Sequence, residues 1–348
     1  MEKIKRIPHL RIQKSIFAML VKTGVSLRDA SSMADGLVST SLRGTDSHGI
    51  RLTPHYLKVI ETGRVNPRAK MTVKKTAPSI AIVDAKHGFN IVASKLAMAK
   101  AIELAEKTGM GAVAIKDSTH FAVAGIYGLE AVKNNTIGFS FTHTDALVVP
   151  FGGKDPVLGT NPICFTAPMA GEEPFCSDMA TMPISWNKVR MHQSTKESLS
   201  PGWVVDSEGR EVINPLEAVS LLPFGGYKGY GLSLMVEVLC SLLSGMPFGR
   251  DIKTMFPPDS KRRHLGYFVM ALDIKKFVPI KEFKIRFKKE LDKIRKTRPV
   301  VSGKKVLVAG DPEKIAFKDR SKNGIPMSVE LIEEFNTWSK KLGIKERV

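Results

Sequence analysis

An α/β fold with a helical N-terminal region is predicted by three features of the sequence. Residues 1–75 carry helix-type apolar spacing, the stretch beyond Pro67 alternates short β-rich runs with helical patterns, and no internal repeat or low-complexity linker interrupts the chain. The 348 residues are 43% hydrophobic and 25% charged, which permits a sizeable core and excludes collagen-like, disulfide-scaffold and wholly disordered classes. That length suits one large domain or a few smaller ones sharing an intimate interface.

The elements follow in order. Ile12, Ile16 and Leu20 form one stripe that stops at Gly24, and Ser26 with Asp29 makes a capping-box-like start to a second helix running toward Leu42. A third helical segment spans Thr53 to about Thr62. Strand-like runs are expected at Ser79–Ala85, Gly111–Lys116, Ile137–His143, Pro162–Thr166, Tyr267–Ile274 and Lys305–Ala309, with helices over Ile91–Lys107, Val123–Asn134 and the tail after Ser328. Gly109-Met-Gly111-Ala-Val-Ala114 fits the loose dinucleotide pattern, but it ends a helix and precedes a strand, the reverse of what that fingerprint requires. Gly109 therefore reads as a helix cap. No P-loop pattern is present.

Cys164, Cys176 and Cys240 are too few and too scattered for a disulfide framework, and none stands in a metal-binding pair, so they read as buried fillers in a reducing compartment. Met1–Lys14 lacks the apolar segment of a secretory signal, and Leu232–Leu243 is too short to span a bilayer. A cytoplasmic protein without membrane attachment is the expectation. The formal charge is +19, and Lys275–Lys305 holds 13 basic against 3 acidic residues. Within it Ile280, Phe283, Phe287, Leu291 and Ile294 recur at helical spacing, so this is an amphipathic helix with a basic back. A solvated face is one reading and attraction to nucleic acid the other; no nucleic-acid motif accompanies it.

Three constellations could carry chemistry. Arg43-Gly-Thr-Asp-Ser-His-Gly-Ile-Arg51 places His48 on a turn, with Asp46 and Arg51 nearby; an imidazole suits proton transfer near neutral pH, and Arg51 could clamp a carboxylate. His120 and His143 each follow a predicted strand and could be functional or satisfied in the core. Gly225-Gly-Tyr-Lys-Gly-Tyr-Gly231 leads into an apolar helix, where Lys228 and free amides could hold a phosphate or simply form a turn. Gly152-Gly153, Gly159-Thr-Asn-Pro162 and Ser177–Thr181 add small polar residues around two strands.

Together these segments resemble the malate/L-lactate dehydrogenase family that is distinct from the Rossmann-type enzymes and includes sulfolactate, ureidoglycolate, diketogulonate and piperideine-carboxylate oxidoreductases. The likeness is carried in order by Arg43–Tyr56, Ser118–Phe121, Val148–Gly153, Leu158–Pro162, Ser177–Thr181, Pro201–Gly209, Lys228–Leu232 and Leu265–Phe268. The resemblance implies a non-Rossmann α/β fold: a mixed-sheet cofactor- and substrate-binding domain (residues 76–311) flanked by helices. The helical N-terminal region (residues 1–75), which carries the SHG turn, would pack with residues 312–348. It also implies a homodimer with the site near the subunit interface, and hydride transfer between NAD, or NADP, and a small 2-oxo or 2-hydroxy acid. Malate- and lactate-like acids are expected, with ureidoglycolate or 2-imino and diketo acids as the alternative.

By match, His48 is the proton donor and acceptor with His120 its rival or partner. Ser47, Arg51, Tyr56 and Arg263 fall on substrate positions, and Asp178, Met179, Ala180, Lys228, Gly229, Ala309, Gly310 and Asp311 on cofactor positions. Thr144 and Asp145 lie where a nicotinamide-contacting pair occurs, and no metal is implied. Departures are Ala122 where the family often has glycine, an arginine three residues after the histidine instead of four, and Trp186-Asn187 before Lys188, which leaves NAD against NADP open. A reading of another class is an inactive homologue that binds nucleic acid or an acidic partner through its basic surface.

Overall fold

The computed structural model describes residues 4–348. In chain order the N-terminal part comprises β1 (Ile4–Ile7), α1 (His9–Lys22), α2 (Leu27–Leu42) and α3 (Thr53–Glu61). The central part comprises β2 (Thr72–Ala77), β3 (Ile80–Asp84), α4 (Asn90–Thr108), β4 (Met110–Ser118), α5 (Gly125–Lys133), β5 (Thr136–Thr142), β6 (Ile163–Ala167) and β7 (Phe175–Met179). A smaller unit follows with α6 (Trp186–Thr195), β8 (Val204–Val205), β9 (Glu211–Val212), β10 (Ser220–Leu221) and α7 (Tyr227–Glu237). The chain closes with β11 (Leu265–Asp273), α8 (Ile280–Arg295), α9 (Asp311–Asn323), β12 (Ile325–Ser328) and α10 (Val329–Lys341).

The local signals act where the sequence put them. Ile12, Ile16, Met19 and Leu20 of α1 are buried, each such side chain contributing about 1.5–3 kcal/mol over its exposed state. Ser26 Oγ accepts the Asp29 N–H at 3.1 Å, satisfying one of the free amides of the first turn of α2. Gly109 closes α4 in the left-handed conformation, with φ 90°, so this glycine pair turns a helix into a strand.

The main sheet has the order β2-β3-β4-β11-β5-β6-β7. Only the β3–β4 step, with α4 as its crossover, is parallel; the rest are antiparallel. This mixed sheet has no doubly wound half. β11 returns from far along the chain to lie between β4 and β5, pairing Leu265 with Ser118. That insertion carries Arg263 and His264 to the end of β4, beside His120.

One apolar core runs through α1, α2, α3, α4, α5 and the sheet, and a second, built on Val148, Leu158, Met182, Ile184, Val189 and Leu221, lies under the small sheet β10-β8-β9. N-terminal and C-terminal segments meet through the antiparallel pair β1–β12 and through contacts of α10 with α1 and α3.

The expected strand at Lys305–Ala309 is not formed. Among the described residues the run has no partner strand; Val308 instead packs on Met169 and Leu291, and its N–H donates to Asp311 Oδ2 at 3.1 Å. α8 is amphipathic as read, though Leu291 alone of its stripe is fully buried and Ile294 is exposed. Several of its basic groups are paired, Lys288 with Asp292 at 2.6 Å and Arg295 with Asp311 at 2.7 Å and Glu172 at 2.9 Å. All three cysteines are buried and free. No described helix is long and apolar enough to cross a membrane.

Candidate active site

The SHG turn is held between two helices. Gly49 admits no side chain, because a Cβ there would overlap Ser41 Oγ of α2, and that hydroxyl accepts the Ile50 N–H at 3.0 Å. From α9, Arg320 forks onto Asp46 at 2.6 and 2.9 Å and also donates to the Ser41 carbonyl. Asp46 is therefore committed to Arg320 and does not serve His48, whose Nδ1 meets Ser47 Oγ at 2.8 Å.

His120 leaves the end of β4 and stacks on His48, ring centroids 5.6 Å apart and planes inclined by 22°. Its Nδ1 receives the Ala122 N–H at 3.4 Å and lies 3.1 Å from Tyr56 Oη, which takes the Asn90 amide at 3.1 Å. An amide N–H can only donate, so Nδ1 is the acceptor, Tyr56 donates to it, and the neutral ring carries its proton on Nε2. Burial, then the neighbouring His48 and Arg263, hold His120 well below the usual histidine range. Burial alone depresses His48. Both rings are thus biased toward the neutral form, His120 more strongly than His48.

Both rings line a cavity of about 490 Å³, a size suited to a small-molecule site. The same cavity is lined by Ser47, Thr144, Asp145, Asp178, Met179, Ala180 and Arg263. Arg263 is buried: it pairs with Asp145, donates through Nε to the Lys253 carbonyl at 2.8 Å, and keeps Nη1 buried without a hydrogen-bond partner. An unpaired guanidinium nitrogen beside two imidazoles suits the carboxylate of an acid.

The wall from Thr254 to Phe256 is held from behind by Arg64. Its guanidinium donates to the carbonyls of Thr254, Met255, Pro257 and Asp259 at 3.4, 2.9, 3.2 and 3.0 Å and pairs with the Asp259 carboxylate. On the far side Asp178 accepts the Gly125 N–H at the start of α5, and burial pushes its carboxyl up to about 6. Arg43 offers a buried Nη2 and Glu313 a buried Oε2, neither with a partner. A donor for phosphate and an acceptor for a ribose hydroxyl fit a dinucleotide.

Other expected residues lie elsewhere. Tyr56 sits behind His120 as that ring's partner and does not line the cavity. Arg51 is exposed and faces Glu334 electrostatically. Lys228 is exposed on the first turn of α7, and Gly229 is buried against the Phe224 backbone. Ala309, Gly310 and Asp311 lie outside the lining; Gly310 packs on the Cys176 backbone and Asp311 holds Arg295. His143 is a core residue, its Nδ1 3.1 Å from the buried Glu237 carboxylate and its Nε2 accepting the Gly266 N–H at 2.9 Å. Sequence reasoning gave no role to Arg43, Arg64 or Glu313. Arg43 opens the motif that drew attention to His48, and that was its only signal.

The profile of the malate/L-lactate dehydrogenase family matches residues 7–336. The chain is 35% identical over 355 residues to malate dehydrogenase of Pyrococcus abyssi, covering 99% of this chain and 97% of that one. It is 31% identical over 306 residues to ureidoglycolate dehydrogenase (NAD(+)) of Escherichia coli K12, covering 88% of each. The solved sulfolactate dehydrogenase of Methanocaldococcus jannaschii superposes with a TM-score of 0.93 at 32% identity, covering 98% of both chains. The stacked histidines, the unpaired arginine and these likenesses converge on one assignment: the chain belongs to the malate/L-lactate dehydrogenase family, in which malate, sulfolactate and ureidoglycolate dehydrogenases are oxidoreductases of hydroxy acids.

Proposed function

We propose that this protein interconverts a small 2-hydroxy acid of the malate and lactate kind with its 2-oxo acid, using NAD or NADP. The observation that carries the reading is the stacked His48–His120 pair beside the unpartnered Arg263 Nη1, in a cavity that also offers Arg43, Asp178 and Glu313. When bound, the pyridine nucleotide supplies or accepts the hydride. Arg43 would hold its phosphates, Asp178 and Glu313 its ribose hydroxyls, and Thr144 the end nearest the histidines.

Arg263 holds the substrate carboxylate and so fixes the carbonyl against the rings. His120, neutral and protonated on Nε2, donates a hydrogen bond that polarises the carbonyl oxygen. His48 delivers the proton that the developing alkoxide requires, and in the reverse direction removes it. Ser47 steadies His48 at Nδ1, and Tyr56 with Asn90 keeps His120 in the donating tautomer.

The proposed assembly is a homodimer, and exposed apolar side chains on the outer face of α7 and its continuation, Tyr227, Met235, Val238 and Leu242, support such a contact there. Pyridine-nucleotide chemistry with three unoxidised thiols belongs in the cytoplasm.

The test uses purified protein, NADH or NADPH, and a panel of 2-oxo acids, reading loss of the reduced nicotinamide. Oxidation with one or more acids is expected. No acid-dependent oxidation of either cofactor, together with no cofactor-induced thermal shift, ends this reading.

A further inference from the structure

Outside the cavity, three distant segments bring His87, Asp117 and His264 together: the turn after β3, the end of β4 and the approach to β11. One ligand-type atom from each lies within 4.8 Å of the others. His264 Nδ1 is 2.7 Å from Asp117 Oδ1, and His87 Nδ1 is 3.9 Å from the same oxygen. The two rings meet edge to face with centroids 5.0 Å apart. All three residues adopt the left-handed backbone region, with φ of 60°, 53° and 49°. L side chains enter that region at a cost, and here three do so to aim at one point.

His87 Nδ1 is buried and has no hydrogen-bond partner, although it faces an oxygen at 3.9 Å. That spacing is too long for a hydrogen bond and close to the separation of two ligands on one ion. A tetrahedral ion with bonds of about 2.0–2.2 Å places its ligand atoms about 3.3 Å apart. The observed 2.7 and 3.9 Å bracket that value. Side-chain exposures of 17%, 20% and 45% for His87, Asp117 and His264 leave a way in for an ion and its water.

We propose that His87, Asp117 and His264 bind one divalent ion of the zinc, nickel and cobalt kind. Two imidazoles and one carboxylate favour such ions, whereas magnesium and calcium prefer oxygen donors. The ion takes the place of the proton shared between His264 Nδ1 and Asp117, and that proton leaves to solvent. The charge of the neighbouring Arg262 limits the affinity. None of the three lines the cavity, so the ion is not part of the hydride chemistry. It would tie the residue next to Arg263 to the turn after β3 and the end of β4, fixing the root of the loop that carries that arginine.

Isothermal titration of chelator-treated full-length protein with zinc sulfate tests this directly. Expected are one zinc per chain with micromolar or tighter affinity, a cobalt(II) visible spectrum typical of a low-coordinate site, and no heat with magnesium. Asp117→Asn keeps side-chain size, an acceptor for His264 and tolerance of the left-handed backbone; it should weaken zinc at least about tenfold, and the double variant His87→Ala/His264→Ala by about 100-fold or more. Zinc should raise the Tm of the wild type and leave that of the double variant unchanged, with circular dichroism confirming that the variants fold. No binding by the wild type, or equal binding by wild type and Asp117→Asn, overturns the site. Because the readouts are binding and stability, either result is independent of whether the protein oxidises NADH.

Discussion

His48 and His120 stack 5.6 Å apart across the cavity, one held by Ser47 and the other by Tyr56 and the Ala122 amide. Two imidazolium ions that close in a desolvated site repel, so at most one ring carries an extra proton at a time. Burial lowers His48, whereas burial and His48 itself hold His120 well below the usual range.

The pH dependence follows from this asymmetry. Hydroxy-acid oxidation needs His48 neutral, so kcat/KM should be flat at neutral pH and fall as pH drops through a value below 6.5, the ordinary histidine pKa. Oxo-acid reduction needs the imidazolium and should rise as pH falls through the same value. His48→Gln should lose about 10²-fold or more in rate and abolish both limbs. Wild-type turnover in that variant with a dead His120→Gln would reverse the roles.

Arg263 is assigned the substrate carboxylate. Arg263→Lys keeps a charge but cannot span Asp145 and the substrate together. KM for the acid should rise by roughly 10- to 150-fold, corresponding to about 1.5–3 kcal/mol for a charge-assisted hydrogen bond, with a smaller change in KM for the nucleotide. Steady-state kinetics varying each substrate in turn separates the two.

Arg64 reaches no substrate, yet it holds four carbonyls of the loop that forms one cavity wall. Arg64→Met should cost about 2–3 kcal/mol of stability in urea unfolding by leaving those carbonyls unpaired. It should also raise KM for the acid by about 10- to 100-fold through misplacement of Arg263.

Asp178 places function and stability in opposition. Its folded-state pKa is raised to about 6 by burial, so its stabilising contribution is complete below about 3.8, the ordinary value, and is lost as pH rises through about 6. Asp178→Asn should therefore stabilise the cofactor-free protein at pH 7 by on the order of 1–3 kcal/mol, and flatten the decline between those two values. It should weaken nucleotide binding at the same time. Chemical denaturation across that pH range, with a nucleotide titration, checks both.

Ala122 is held in the left-handed backbone region, with φ 65°. Ala122→Gly should raise stability by up to about 1 kcal/mol, the relief of a left-handed alanine less the greater freedom of the unfolded glycine. Ala122→Val should lose more than about 1 kcal/mol, since a branched side chain is worse in that region. Melting temperatures of the two variants should move in opposite directions.

The helices were legible because their information is local. The stripe Ile12–Ile16–Leu20, the Ser26 cap and the Gly109 stop act within one or two turns; α1 ends two residues before Gly24, α2 begins directly after Ser26 and α4 ends directly before Gly109. The SHG turn and the STHF segment were legible as chemistry, and the fold does bring His48 and His120 into one cavity.

What the sequence determined by itself was the α/β class, the main helices α1 to α5, the strands β3 to β6 and β11, and the histidines to watch. Only the tertiary structure decided which charged groups serve them. β1 is a strand only because β12, more than three hundred residues later, pairs with it, whereas the equally extended run at Lys305–Ala309 finds no neighbour. In the same way Asp46 turns to Arg320, Arg51 turns to solvent, and Arg263 and Arg43 arrive at the cavity from opposite ends of the chain. A helix closes its own hydrogen bonds four residues away, but a strand ladder or an ion pair exists only once the fold has brought its partner.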